Sequence, residues 1–211
     1  GDQLVKQQRT LYGIWDKVAV GGGAGTSADV LTDSTSLVTQ NIVTTPLAGT
    51  DGATYRQLNI TPVDYKTKRG WRLPLVVGAG ERLLDEPQVR VGSVFMQTLT
   101  PTAVDDECDA AMFVRRGYVL DPFMSGLARA PFDANADGTF ESNIVDLGGS
   151  GEHQIVLQPP AGSDRTGVIL GPGNEPPRPV NLGVDSIKRH WRQIVTPPNS
   201  SIMFAECASI P

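Results

Sequence analysis

Glycine and proline punctuate this chain so densely that long helices have little room to form. The 211 residues include 23 glycines and 16 prolines, and helix interiors tolerate both poorly. Between these breaks, no stretch keeps an apolar period of 3.6 residues over three turns with capping residues at both ends. The sequence therefore predicts an all-β fold made of many short strands joined by loops.

Short runs rich in β-branched and aromatic residues supply the strands. In QVRVGSVFMQTLTP the apolar alternation restarts around Gly92-Ser93, which predicts either a tight turn or a bulge. The spacing between runs, about 8–12 residues, is typical of a sandwich, a barrel or the blades of a propeller, and periodicity does not choose among them. The other predicted strands lie in LYGIWDKVAV, SLVTQNIVTT, TYRQLNITPVDY, GWRLPL, GYVL, HQIVLQPP and TGVILGPG, whereas 186–206 fits two strands or a short helix and a strand.

The charge pattern argues against two classes of partner. The net charge is -5 and no basic run stands out, so the chain lacks the positive patch with which proteins neutralise a nucleic-acid backbone. No apolar stretch reaches the roughly 20 residues that span a bilayer. The opening, GDQLVKQQRT, is polar and lacks both a signal peptide and an initiating Met, so we expect a processed or excised piece.

Two cysteines, Cys108 and Cys207, leave two alternatives open. In an exported protein they are expected to pair, and closing a loop of about 100 residues is worth about 4–5 kcal/mol in the chain-entropy model. The alternative is a pair of buried free thiols. Zinc is not expected, because His153 and His190 lie far from both cysteines in the sequence.

The stretch FDANADGTFESN, residues 132–143, carries oxygen-bearing side chains at the alternate positions of a calcium loop. Calcium takes six to eight oxygens around a tight glycine turn, and Gly138 occupies the sixth position here. The predicted ligands at positions one, three, five, seven (through its carbonyl) and nine are Asp133, Asn135, Asp137, Thr139 and Glu141.

This pattern departs from the helix-loop-helix calcium site at its end. Position twelve is Ile144 rather than a bidentate acid, so Asp146 or Asn143 would have to close the shell. No flanking helices are expected either. The alternative interpretation is a solvated Asp/Asn-Gly turn that binds nothing, since these residues favour turns for their own reasons.

No pattern of residues indicates catalysis. Each histidine is interpreted as a surface or stacking residue, no Gly-x-Ser-x-Gly elbow is present, and GGGAGTSAD lacks the Lys-Ser or Lys-Thr of a phosphate loop. The chain is therefore predicted to be non-enzymatic. Its three tryptophans, Trp15, Trp71 and Trp191, are predicted to anchor the core, with an exposed carbohydrate-binding platform as the alternative.

Several stretches, taken together and in order, resemble the C-terminal β-propeller domain of the PilY family, called PilC in neisseriae. They are LYGIWDK, SLVTQNIV, YRQLNITPVDYKTKRGWRLPL, GERLLDEPQVRVGSVFMQTLTPT, GYVLDPFMSG and HWRQI, with Cys108 after the fourth. The resemblance implies four-stranded antiparallel blades, with residues 1–211 forming the C-terminal portion of the domain, a partial propeller. It also implies an inserted calcium-binding loop at 133–146, with the five residues named above as Ca²⁺ ligands.

The same resemblance implies a cell-surface role. It predicts an extracellular, pilus-associated protein of the outer membrane that supports type IV pilus extension, retraction and attachment. The implied partners are minor pilins or other pilus components, and a host or abiotic surface. The rival interpretations are a quinoprotein-like propeller enzyme and a lectin-like carbohydrate-binding module.

Overall fold

A computed structural model describes residues 7–15, 34–83, 86–90, 92–101, 113–125, 130–147, 153–157, 166–171 and 177–182. Apart from a 3-10 turn at Ser34–Ser36, all regular structure in these ranges is β-strand, so the all-β prediction is confirmed. The strands are β1 Thr10–Ile14, β2 Leu37–Thr39, β3 Asn41–Ile42, β4 Leu47–Ala48, β5 Thr54–Arg56, β6 Leu58–Asn59, β7 Gly70–Pro74, β8 Arg82–Leu83, β9 Gln88–Arg90, β10 Ser93–Pro101, β11 Phe113–Leu120, β12 Ile144–Asp146, β13 Gln154–Leu157, β14 Thr166–Leu170 and β15 Arg178–Asn181.

The described strands form four sheets. The largest has seven strands in the order β4-β5-β12-β11-β10-β8, with β9 also paired to β10. Two three-stranded sheets follow the orders β1-β7-β2 and β13-β14-β15, and β3 pairs with β6. Only the β2–β7 pair is parallel among these described pairings. The described sheets close no ring, an arrangement that a fragment of a propeller allows.

The restart of the alternation at Gly92 is a tight turn. Strands β9 and β10 pair antiparallel with Ser93 opposite Arg90, and Gly92 has a φ of 81°. Glycine adopts this left-handed conformation without the steric penalty of a Cβ. Of the two alternatives that the sequence offered, the structure therefore contains the turn.

The centre of the seven-stranded sheet is buried on both faces. Adjacent residues of β11, Tyr118 and Val119, belong to two different apolar clusters, as do Phe95 and Met96 of β10. One cluster packs against the β1-β7-β2 sheet through residues such as Trp71, and the other packs against the β13-β14-β15 sheet. Because successive side chains of a strand point to opposite faces, the central sheet lies between two apolar layers.

Two single-residue expectations are corrected by the packing. Trp71 is buried as predicted, but Trp15 is 45% exposed, because it directly follows the edge strand β1. Its ring meets that of Tyr65 edge-on. His153, expected to be a surface or stacking residue, is buried beside Gln97. The Gln97 side chain accepts from the backbone N–H of His153 and donates to its carbonyl.

Several predictions fall on residues outside the described ranges. They concern Cys108, Cys207, His190 with Trp191, the glycine-rich stretch 21–29 and the block 186–206. Within the described ranges, no helix has the length and apolar character required to cross a bilayer.

Candidate metal centre

The predicted calcium loop is anchored at its base to the core. Phe132 and Ser142 form an isolated antiparallel bridge, in which each backbone N–H donates to the carbonyl of the other residue at 3.0 and 3.1 Å. The ring of Phe132 is buried and packs on Tyr55 at 5.8 Å between centroids. The two ends of the loop are thus held together, while the residues between them reach the surface.

Inside the loop, oxygens of the predicted ligands accept hydrogen bonds from backbone N–H groups. The carboxylate of Asp133 accepts from the N–H of Asp137 at 3.2 Å and from that of Gly138 at 2.8 Å. Asn135 also accepts from the Asp137 N–H, and Asp137 accepts from the Thr139 N–H at 2.7 Å. These short-range bonds curl the chain into a compact turn.

The turn needs left-handed backbone at two positions. Ala136 has a φ of 59° and Gly138 a φ of 88°. A glycine takes this conformation at no steric cost, whereas an alanine is strained in it. The sixth position therefore carries glycine for the reason that the sequence pattern suggested.

Glu141 presents an oxygen with no donor. Its Oε1 accepts from the N–H of Ala134 at 3.1 Å, but its Oε2 is buried and accepts no hydrogen bond from the described residues. Burying a carboxylate oxygen without a partner costs free energy. A cation at this position would satisfy it.

Asp137 is held in its ionised form. The backbone N–H of Thr139 donates to its carboxylate, and the Thr139 hydroxyl and the Asn135 amide add to this effect, so that the pKa of Asp137 lies below its ordinary value of 3.8. Hydrogen bonds to the charged form favour that form. The side chain of Asp137, a predicted ligand, is thus negatively charged at neutral pH.

A cavity of about 280 Å³ brings four of the five predicted ligands together, and Asp133 lies outside its lining. Three further lining residues come from β4 and from the junction of β5 and β6. Within the described ranges, no three acidic, histidine or cysteine side chains converge as a ready-made metal cluster. An ion held here would therefore need amide and carbonyl oxygens as well. The lining residues are Leu47, Ala48, Gln57, Ala134, Asn135, Asp137, Thr139 and Glu141.

The donor set fits calcium. Every predicted ligand offers a hard oxygen, neither sulfur nor imidazole nitrogen is present, and the buried Glu141 Oε2 is without a hydrogen-bond donor among the described residues. Hard cations such as Ca²⁺ select such ligands, whereas zinc prefers nitrogen and sulfur. When bound, the ion would supply a positive charge that links the oxygens of the turn.

A buried polar network was not foreseen from the sequence. Glu81 is fully buried, and its Oε1 accepts from the Thr98 hydroxyl at 2.5 Å and from the Tyr118 hydroxyl at 2.7 Å. Its Oε2 lies 3.5 Å from the Arg116 guanidinium. Burial, followed by the Glu81 charge, raises the pKa of Tyr118 well above its usual value. The residues bond one another inside the sheet, which indicates a structural role.

An aromatic groove of about 550 Å³ lies along β1. Its exposed rings include Tyr12, Trp15 and Phe123, at 58%, 45% and 57% exposure. The Tyr65 hydroxyl donates to the carbonyl of Phe123, and the Trp71 indole donates to that of Pro122. The groove wall is thus fixed by hydrogen bonds, and its surface is largely apolar.

Comparison with curated proteins places these features in context. The chain is 31% identical over 160 residues, 67% of its length, to the type IV pilus biogenesis factor PilY1 of Pseudomonas aeruginosa strain UCBPP-PA14. The chain is similar to PilY1. It is also 30% identical over 146 residues, 64% of its length, to the PilY1 proteins of strains PAO1 and PAK. These alignments cover 13% and 12% of the PilY1 sequences, so the chain spans about an eighth of the proteins that it matches.

The other two comparisons add no match. No protein-family model matches the chain, and no solved structure matches it. The similarity to PilY1 supports a PilY-related family and a type IV pilus-related role, in agreement with the motifs that carried the resemblance.

Proposed function

We propose that this chain is a non-enzymatic, calcium-binding propeller segment of a type IV pilus assembly and tip-adhesion protein. Two independent observations support the proposal. The PilY1 proteins to which the chain is similar are named as pilus biogenesis factors. The loop that holds the predicted ligands contains a buried carboxylate oxygen, Glu141 Oε2, with no donor among the described residues, and this oxygen is the observation that carries the calcium assignment.

Calcium would act on the stiffness of the loop. Without the ion, the carboxylates of Asp133, Asp137 and Glu141 share one short turn and repel one another. With the ion, the same oxygens are attracted to one positive charge, and the turn becomes rigid between the Phe132–Ser142 bridge and the solvent. We propose that this local change supports pilus extension and retraction.

The proposed location and partners follow from the similarity to PilY1. The protein would be exported to the cell surface and the pilus, where it contacts minor pilins or other pilus components and attaches to a host or abiotic surface. The pairing of Cys108 with Cys207 belongs to the same proposal, because an oxidising compartment favours disulfides. Mass spectrometry of the non-reduced protein after proteolysis tests that pair.

Isothermal titration calorimetry tests the calcium site. The protein, freed of metal with a chelator, is expected to bind Ca²⁺ more tightly than Mg²⁺. Ca²⁺ accepts irregular shells of six to eight protein oxygens, whereas Mg²⁺ demands a near-ideal octahedron and usually keeps several waters. Asp133→Ala should lower calcium affinity by about tenfold or more, since affinity depends on the number of charged ligands.

The matched control is Asp64→Ala. Asp64 is exposed and, like Asp133, accepts a backbone N–H within a turn, from Lys66 at 3.0 Å, but it lies outside the loop. The control should bind calcium as the parent does. Absence of calcium-dependent heat in the folded parent protein would refute the proposed site.

A further inference from the structure

If each predicted loop residue gives one oxygen, the loop alone falls short of a full calcium shell. Five ligands are predicted between Asp133 and Glu141, whereas the ion takes six to eight. The twelfth position, where a helix-loop-helix site places a bidentate acid, is Ile144, which is fully buried in the core. The remaining oxygens come from a carboxylate that binds with both oxygens, from another part of the protein or from water.

The two ligands suggested by the sequence are engaged elsewhere. The Oδ1 of Asp146 lies 2.9 Å from the Arg56 guanidinium and 2.8 Å from that of Arg116. Asn143 is buried, and its side-chain oxygen accepts from the Leu58 N–H at 3.3 Å. Neither residue lines the cavity beside the loop.

Gln57 lines the same cavity from outside the loop. It lies between β5 and β6 and is half-buried, and its carbonyl accepts from the Val43 N–H at 3.0 Å, which fixes its backbone. Its side-chain amide has no hydrogen-bond partner among the described residues. Of the lining residues contributed from outside the loop, Leu47 and Ala48 have only carbon in their side chains.

We infer that the amide oxygen of Gln57 is an additional calcium ligand, contributed by the sheet rather than by the loop. This inference rests on the proposed calcium site and deepens it. An ion held by Gln57 on one side and by Asp137 and Glu141 on the other would tie the turn to the β5–β6 segment. Calcium would then cross-link two parts of the chain that are far apart in sequence.

Calorimetry on substituted chains tests this assignment. Gln57→Leu keeps the approximate volume and removes the oxygen, so calcium affinity should fall about tenfold or more. Gln57→Glu replaces a neutral oxygen donor by a charged one and should tighten binding, because ligand charge sets the affinity of such sites. Asn59→Ala, an exposed amide on the neighbouring β6 that does not line the cavity, is the matched control and should bind as the parent does.

The outcomes separate the two proposals. A parent protein that binds no calcium removes both of them. A parent that binds calcium and loses affinity with Asp133→Ala, while Gln57→Leu binds within twofold of the parent, overturns the role of Gln57 and leaves the loop site intact.

Thermal unfolding in chelator controls for folding. Parent and Gln57→Leu are expected to unfold at the same temperature without the ion, and to differ when calcium is added. If Gln57→Leu fails to fold, Gln57→Glu decides: unchanged affinity in that variant contradicts the assignment.

Discussion

Glu81→Ala is expected to destabilise the protein more than any exposed acidic substitution does. Glu81 is fully buried, accepts the hydroxyls of Thr98 and Tyr118, and lies 3.5 Å from the Arg116 guanidinium. Removing one member of a buried ion pair typically costs about 3–5 kcal/mol, since the remaining charge stays buried without its partner.

The expected loss lies at the lower end of that range. Arg116 keeps a hydrogen bond to the Thr100 hydroxyl at 2.7 Å and an ion pair with Asp146, so its charge is not left alone. The Thr98 and Tyr118 hydroxyls each lose a charged acceptor, and such a bond contributes about 1.5–3 kcal/mol. We therefore expect a decrease of about 3 kcal/mol in the free energy of unfolding.

Urea unfolding followed by tryptophan fluorescence measures this loss, with the buried Trp71 as a reporter. The control is Glu86→Ala. Glu86 is an exposed acid on the other side of β8 in the sequence from Glu81, and its replacement should change stability by no more than about 0.5 kcal/mol. Tyr118→Phe should cost less than Glu81→Ala, and adding it to Glu81→Ala should cost little more, because both changes remove the same bond. A loss below about 1 kcal/mol for Glu81→Ala would refute the network as a stabilising element.

Two further predictions concern the tyrosines and the glycines. Burial, followed by the hydrogen bond to Asp51, raises the pKa of Tyr55 from 10.0 to about 12 in the folded protein. The folded state therefore holds this proton more tightly than the unfolded state does, and the free energy of unfolding should fall as pH rises from 10 to 12. Thermal unfolding across that range should show a smaller fall for Tyr55→Phe than for the parent, and an equal fall would contradict the assignment. Gly70→Ala should destabilise β7 strongly, because φ is 144° there and a Cβ would meet a β1 carbonyl oxygen at less than contact distance. Gly52 also has a positive φ, 79°, but a Cβ added there would meet nothing within 4 Å. Urea unfolding should therefore show a clearly smaller loss of stability for Gly52→Ala, about 1 kcal/mol. Equal losses for the two variants would count against the close approach at Gly70.

Strand positions could be predicted from the sequence because alternation is a local property. Trp71, Leu73 and Leu75 recur at every second residue, and all three are buried in one cluster. The layering could not be predicted in the same way. It depends on β12 pairing with β5, which places Val145 opposite Tyr55, and no local pattern specifies a pairing between segments so far apart.

The same distinction applies to the candidate site. The five proposed loop ligands could be predicted because calcium loops place their oxygens at fixed short spacings. Gln57 carried no such signal, since its place in the lining of the same cavity as Glu141 depends on the β5–β12 pairing and on the fold of the loop base. Asp146 was a reasonable candidate by spacing, but the arginines of the sheet hold its carboxylate.

The position of the loop gives the calcium proposal a wider consequence. The carbonyl of Pro131, at the loop base, accepts from the Asn181 N–H of β15 at 2.9 Å, and the carbonyl of Ala134 accepts from the Thr50 N–H at 2.9 Å. Asp51, next to Thr50, is also ion-paired with Arg178 of β15. The loop therefore contacts both the β13-β14-β15 sheet and the β4–β5 turn of the central sheet. A cation that stiffens the loop would stiffen this junction as well, so calcium-dependent protection from hydrogen exchange should extend to the amide of Asn181 and not stop at Glu141.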